Sequence, residues 1–264
     1  MKIVVLVKQV PDSTEITVDK KTGTLVRDGV PSIINPDDLA GLEAALELKD
    51  ANPDVKVTVV SMGPPQAKGM LQETIARGAD DAYLITDRRL GGADTCATSR
   101  TLAAALKKIG FDLIIAGRQA IDGDTAQVGP QISEHLHLPV ISYAEEIKVD
   151  EKAGTVEVKR QFEDRYHIVK AKMPCLVTAL SELNEPRYMT PGGIFDAFDK
   201  EVTVWGRADL KDVDDSNLGL KGSPTQIAKA SDKVKKGQGE KVTPDSADEA
   251  VQYIVGKLTE KHVI

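Results

Sequence analysis

Cysteine is nearly missing from this chain. Cys96 and Cys175 are the only two in 264 residues, they stand far apart, and neither belongs to a CxxC pair. That argues against a disulfide framework, a zinc site of the usual spacing and a cysteine-ligated iron–sulfur cluster. Long hydrophobic runs are missing as well. IVVLV at 3 to 7 and VTVV at 57 to 60 are far too short to cross a bilayer, and Met1 leads directly into a strand-like segment rather than a signal peptide. A cytoplasmic protein without membrane insertion is expected. There is no basic excess either: 34 Lys and Arg face 41 Asp and Glu, a net charge of -7, where a nucleic-acid binder needs a basic face to neutralise phosphates. Finally, no GxxxxGK[ST] phosphate loop occurs, and VKQVPD follows the first apolar run where a serine–glycine pyrophosphate loop would stand. Nucleotide hydrolysis and adenylation on this chain are therefore not expected.

What is present is the composition of an ordinary globular protein, 41% hydrophobic and 28% charged, long enough for one large or two smaller cores. Five apolar or β-branched runs read as buried strands: 3 to 7, 55 to 62, 82 to 86, 112 to 117 and 174 to 180. Helix-length segments separate most of them, at 37 to 50 with Asn35 or Asp37 as caps, at 65 to 77, at 94 to 109 between Asp94 and Gly110, and at 125 to 137. Such alternation predicts parallel βαβ units, hence an α/β fold with a doubly wound, mostly parallel sheet. Two insertions read as hairpins, at 16 to 26 and at 146 to 161, the second turning at Ala153 and Gly154. After Pro186 the alternation fades. Residues 208 to 246 are rich in Asp, Lys, Gly and Ser, as in an extended arm, and an amphipathic helix resumes at Ser246 with Ala250, Val251, Ile254, Val255 and Leu258 at helical spacing. The expected division is an α/β nucleotide-binding domain over 1 to 185 and a C-terminal arm over 186 to 264.

In open α/β sheets ligands bind where the loops at the carboxyl ends of the strands converge. Four such loops are visible: LVKQVPD at 6 to 12, SMGPP at 61 to 65, TDRRLGGADT at 86 to 95 and GRQAIDGDTAQVGPQ at 117 to 131. Lys8 alone reads as a solvated charge, and Pro64 and Pro65 lack the amide hydrogens a phosphate would need. The fourth loop carries the most chemistry. Asp124 and Gln127 have the spacing of a capping box, which would turn the Asp124 carboxylate onto the helix's own amides. The amides near Ala126, Gln127 and Val128, with the Thr125 hydroxyl, would then face a phosphate, Arg118 would add a charge-assisted bond, and Gly123 would leave room for close approach. Asp122 and Asp124 would serve the structure or a ribose.

The segments KIVVLVKQVPD, NPDDLAGLEAALELKD, SMGPPQA, RGADDAYLI, GRQAIDGDTAQVGPQ and VKRQFEDRYHIVKAKMPCLVTALSELNEPRYMTP together resemble the β (small) subunit of the electron-transferring flavoproteins, from Met1 to near Val204. The resemblance implies a Rossmann-like, adenine nucleotide-binding fold and a heterodimer with a larger α subunit carrying a redox-active FAD. It also implies a C-terminal arm wrapped on that subunit. A second adenine nucleotide would lie in the four loops, held by Val7, Lys8, Gln9, Ser61, Met62, Gly63, Asp94, Thr95, Gly117, Arg118, Gln119, Asp122, Gly123, Asp124, Thr125, Ala126, Gln127 and Val128. In respiratory members that nucleotide is a structural AMP; in the electron-bifurcating branch it is a second FAD. AMP-type members carry a further acidic residue where Gly123 stands and an Asn-Gln-Thr run where this chain has Ala126, Gln127 and Val128. AIDGDTAQVGP is thus more similar to the bifurcating branch, in which NADH reduces the β-bound FAD. One electron then passes to ferredoxin or flavodoxin and the other, through the α-bound FAD, to a partner dehydrogenase, with no catalytic residue required of this chain. Respiratory members dock an acyl-CoA dehydrogenase through a leucine shortly after NEPRY. Here NEPRYMTPGG departs, so acyl-CoA, enoyl-type and lactate dehydrogenases all remain as partners.

Overall fold

A computed structural model describes residues 1–12, 31–211, 213–225 and 237–264. The expected hairpin at 16 to 26 lies outside them. The chain divides into two compact units, Met1–Ala230 and Ser231–Ile264.

In the first unit the apolar runs become strands as expected: β1 (Lys2–Leu6), β4 (Lys56–Met62), β5 (Asp81–Ile85), β6 (Leu113–Gly117) and β10 (Cys175–Ala179). Two short strands, β2 (Gln9–Pro11) and β3 (Ser32–Ile34), pair antiparallel beyond the end of β1. The helices are α1 (Pro36–Ala51), α2 (Ala67–Arg77), α3 (Thr95–Ile109) and α4 (Val128–Leu136). Pro36 sits at the start of α1, where its missing amide costs nothing. The α3 helix is capped by Asp94, whose carboxylate accepts from the Ala97 amide at 3.0 Å. β7 (Val140–Asp150), β8 (Thr155–Gln161) and β9 (Tyr166–Lys172) form an antiparallel wing, of which β7 and β8 are the second expected hairpin.

Just after Pro186 the chain stays with this unit, which runs to Ala230. It forms α5 (Pro191–Asp199) and then β11 (Thr203–Trp205), which joins the sheet parallel to β5. Leu210 and Leu218 are buried in the core beyond it. The fading alternation is thus corrected: short elements with few apolar residues still complete the sheet because β5 offers them a ready edge. Among the described residues the sheet has nine strands in the order β11-β5-β4-β1-β6-β10-β7-β8-β9. From β11 to β7 every pairing is parallel.

Period-two alternation along β1 splits the core in two. Ile3, Val5 and Val7 pack with Leu42, Leu46 and Leu71 of α1 and α2, while Val4 and Leu6 pack with Leu102, Leu106 and Ile132 of α3 and α4. Burial of each such side chain contributes roughly 1.5–3 kcal/mol. The sheet is therefore doubly wound, with helices on both faces.

Past β10 the chain crosses over α1. Asn184 Nδ2 donates to the Ala40 carbonyl at 3.1 Å, and Arg187 donates from its amide and its Nη2 to the two oxygens of Glu43, each at 2.9 Å. Glu43 is buried, and Asp50 takes a further bond from Arg187 Nη2 at 2.7 Å. This anchor leaves Tyr188 almost wholly exposed, followed by Phe195 and Phe198 on α5, each 74% exposed.

The second unit contains α6 (Ala247–Glu260), capped by Ser246 Oγ, which accepts from the Glu249 amide. Val251, Ile254 and Val255 remain about half exposed on it. No described helix is long and apolar enough to cross a membrane.

Removing the guanidinium in Arg187→Ala leaves the Glu43 carboxylate buried without its main partner. Urea unfolding should show a loss of about 1–3 kcal/mol, and limited proteolysis should cut faster near Tyr188. Unchanged stability and unchanged cutting would show that the segment is held by other contacts.

Candidate functional site

Strand order sets the place of the site. From β1 the chain winds outward through β4 and β5, then returns past β1 to β6 and winds the other way through β10. The loops after β1 and β6 consequently diverge at the carboxyl edge, and the crevice between them is the topological switch point.

One short polar run at the head of α1 ties these loops together. The buried Asp38 carboxylate accepts from the Lys8 amide at 2.8 Å and from the Gly117 amide at 3.0 Å, joining the ends of β1 and β6. Asp37 accepts from the Ser181 amide at 3.1 Å, adding the end of β10, and faces Arg118 Nε at 3.3 Å. Asn35 donates from Nδ2 to the Gln119 carbonyl at 2.8 Å and accepts at Oδ1 from the Ile121 amide at 3.1 Å. Neither Asn35 nor Asp37 acts as the expected side-chain cap of α1: Asn35 holds the cap position but makes no side-chain cap bond. Their polar atoms satisfy the loops instead. Gly117 is required by this arrangement, since a Cβ there would lie 2.1 Å from Asp38 Oδ1.

The fourth loop differs from expectation in two ways. The helix begins at Val128 rather than 125, and Asp124 makes no capping box with Gln127. Asp124 accepts instead from Gln119 Nε2 at 3.0 Å, while Gln127 Oε1 accepts from Thr95 Oγ1 at 2.8 Å. The physical reason is backbone geometry: Asp124 and Ala126 have φ of 49° and 52°, so the chain turns left-handed twice before the helix starts. Non-glycine residues in that region are strained, and such strain concentrates at functional loops. Lys8 is likewise not a free solvated charge, because its Nζ lies 2.6 Å from the nearly buried carboxylate of Asp122. Both aspartates of the loop therefore engage protein groups: Asp122 is paired with the Lys8 cation, whereas Asp124 is exposed and its partner is the neutral Gln119 amide.

The other expected residues take varied places. Val7 and Gln9 follow β1, Gln9 bonding Ser32 Oγ at 2.8 Å. Ser61 is buried within β4, leaving Met62 and Gly63 half-buried at its end. Asp94 is occupied: besides capping α3 it accepts from the Thr225 hydroxyl at 2.7 Å and the Thr225 amide at 3.0 Å. Thr95 reaches the crevice through Gln127, and Arg118 is one-third exposed beside Asp37. Sequence reasoning missed Asn35, Asp37 and Asp38 as site builders. The available signal was their number, since three polar side chains at one helix head exceed what capping needs. A shallow cavity of about 620 Å³ lined by Met1, Lys2, Lys56 and Asp112 lies at the amino ends of the strands, at the opposite edge of the sheet.

An adenine nucleotide fits the donor set at the crevice. Gln127 gives α4 no side-chain cap, the first backbone bond of the helix comes from the Gln131 amide to the Gln127 carbonyl, and a Cβ at Gly123 would meet nothing within 4 Å. Pro130 has no amide hydrogen, so the Val128 and Gly129 amides are the first-turn donors left at the positive end of the helix, where they suit a phosphate.

Fold and crevice together define a doubly wound α/β protein with an open crevice at its switch point. The model of the electron transfer flavoprotein domain matches residues 22–210. The chain is 57% identical over its full length and that of the relative to the electron transfer flavoprotein subunit beta of Clostridium acetobutylicum. It is 52% identical, again with both chains covered completely, to the caffeyl-CoA reductase-Etf complex subunit CarD of Acetobacterium woodii. To the electron transfer flavoprotein subunit beta of Thermoanaerobacterium thermosaccharolyticum it is 48% identical with the same coverage. The chain belongs to the electron transfer flavoprotein family, as its small (beta) subunit.

Burial pushes the Asp38 carboxyl from its ordinary 3.8 up to about 7, against hydrogen bonds from Asn35 and the Lys8 and Gly117 amides, which favour the anion. The folded state therefore holds a proton that the unfolded chain releases near pH 4, and this group's contribution to stability falls as pH rises towards 7, by at most about 4 kcal/mol. Asp38→Asn removes that titration and turns an amide group on one backbone N–H, costing about 1–3 kcal/mol at low pH. Its deficit relative to the parent should shrink between about pH 4 and about pH 7. A gap that widens with pH in urea titrations would mean that Asp38 is ionised throughout.

Proposed function

We propose that this subunit holds FAD in the switch-point crevice as part of an electron-bifurcating heterodimer. When bound there, flavin supplies hydride acceptance from NADH and its division into single electrons, one towards ferredoxin or flavodoxin and one through the α-subunit FAD to a flavin dehydrogenase. The chain's own part is to bind, orient and set distances. The observation that carries the reading is the loop at 118 to 127. Its two carboxylates are engaged by Lys8 and Gln119, and a Cβ at Gly123 would meet no protein atom within 4 Å, which favours room for the additional phosphate that FAD would bring. AMP held as a structural ligand is the second reading, since the amides that suit one phosphate suit AMP as well.

Arg118 would donate to the pyrophosphate from the exposed part of its guanidinium while Asp37 restrains its Nε. The dehydrogenase would dock on Tyr188, Phe195 and Phe198, whose exposure favours a partner surface over solvent. Similarity to the caffeyl-CoA reductase-Etf complex subunit CarD favours a partner acting on a CoA thioester. The arm and α6 would pack on the α subunit, burying Val251, Ile254 and Val255. The complex is proposed to be cytoplasmic.

Denaturing the purified complex and separating the released nucleotides by chromatography tests the reading: two FAD per heterodimer supports it, and one FAD with one AMP defeats it. Gly123→Asp should leave the fold intact, because its side chain meets no protein atom within 4 Å, yet shift the content towards AMP or emptiness. Repulsion of a few kcal/mol corresponds to more than a tenfold loss of affinity. Arg118→Ala should lower the same occupancy while the α-subunit FAD stays.

The arm is tested separately by truncation after Ala230, where the first compact unit ends. The shortened chain should stay folded and form the heterodimer more weakly in sedimentation. An undiminished heterodimer would remove the arm and α6 from the interface.

A further inference from the structure

We propose that Tyr143 is a positioning residue of the crevice, its ring setting the Arg118 guanidinium for a bound nucleotide's phosphates. This rests on nucleotide binding at the crevice as proposed above.

Strand register brings Tyr143 to the right level. Ala179 of β10 pairs with Gly117 on one side and with Ala144 on the other, so Tyr143 lies at the same carboxyl edge as the loop after β6. Between those pairings β7 advances three residues, Ile141 to Ala144, while β10 advances two, Val177 to Ala179. The extra residue makes a bulge, a device that re-aims a side chain. It is fixed from both sides: the Tyr143 amide donates to Thr178 Oγ1 at 3.1 Å, and Arg160 donates to the Ser142 carbonyl and hydroxyl, each at 3.1 Å.

The backbone at Tyr143 is left-handed, with φ of 63°. A bulky residue there costs about 1–2 kcal/mol, and glycine would avoid the strain. What the tyrosine supplies is a cation–π attraction for Arg118, whose Cζ lies 5.9 Å from its ring centroid. On its other restraint Arg118 is loosely held: its Nε and Asp37 Oδ2 are buried and 3.3 Å apart without forming an aligned hydrogen bond. Charge attraction alone fixes distance better than direction. The ring attracts the guanidinium cation from a second side without occupying its N–H groups, so it limits where the cation sits and leaves those groups for phosphate oxygens.

The test compares Tyr143→Phe, Tyr143→Ala and Tyr143→Gly in the purified native complex, measuring nucleotide retained per heterodimer after dialysis and the melting temperature. Phenylalanine keeps the ring and should retain the parental nucleotide content. Alanine and glycine should both weaken retention about threefold to thirtyfold. The glycine variant should nevertheless melt about 2–4 °C above the alanine variant, because it relieves the left-handed strain. Retention that falls alike in the alanine and glycine variants although their melting temperatures differ is not what a purely structural residue would give. Parental retention in the alanine variant, or equal loss in the phenylalanine variant, overturns the role of Tyr143 while leaving the proposed function standing. A parent complex with no nucleotide on this subunit overturns both.

Discussion

The Asp38 carboxylate is the constraint on which the site depends. Its two oxygens take one amide from the end of β1 and one from the end of β6, the two strands that border the switch point. Without a shared acceptor, two loops leaving a parallel sheet in opposite directions would each expose an unpaired amide at a half-buried edge, at a cost of about 1–3 kcal/mol apiece. The same contact dictates sequence around it. Gly117 has no room for a side chain, and Gly41 lets α1 lie close enough to β6 that a Cβ would stand 2.9 Å from Ile115 Cγ2. Moving α1 outward to admit larger residues would pull the carboxylate off both amides.

The backbone near the crevice holds strain that this network sustains. Asp124, Ala126 and Tyr143 all have positive φ without being glycine. Each is fastened by neighbours: the Asp124 amide to the Ala120 carbonyl at 2.9 Å, the Gln127 side chain to Thr95, and the Tyr143 amide to Thr178. Strain of a kcal/mol or so per residue persists only where surrounding bonds over-determine the conformation. The loop is thereby pre-formed, and a ligand arriving there need not bear the full cost of ordering it.

Legibility in the sequence followed burial. The five strands of the parallel core and the helices between them were readable because a strand buried on both faces is dominated by apolar side chains, as at 3 to 7, 57 to 60 and 113 to 116. β9 was not readable: Tyr166, His167, Ile168, Val169 and Lys170 mix exposed apolar and polar groups, because neither face of the wing is fully covered. β11 is three residues long, too short for any period to show. Side-chain partners were the least legible. The spacing of Asp124 and Gln127 fits a capping box, but spacing assumes that helical geometry begins at once, and the two left-handed residues break that assumption. Lys8 and Asp122 are 114 positions apart and meet only because β1 and β6 are neighbours.

Helix α1 links the crevice to the exposed aromatic surface. Asp38 at its head holds the loops of the switch point, and Glu43, five residues on, holds Arg187 and so the segment leading to Tyr188 and α5. Five residues of helix span about 7.5 Å, and both carboxylates are buried on an element packed directly against β6. On the proposed function, the crevice would hold the nucleotide and the aromatic surface would meet the dehydrogenase, and α1 would set the distance between them. One rigid helix carrying an acceptor for each does this more dependably than two independently tethered loops, whose errors would add. Burying two acids on one helix is costly unless each finds donors, and here the donors come from the two regions whose spacing the helix sets.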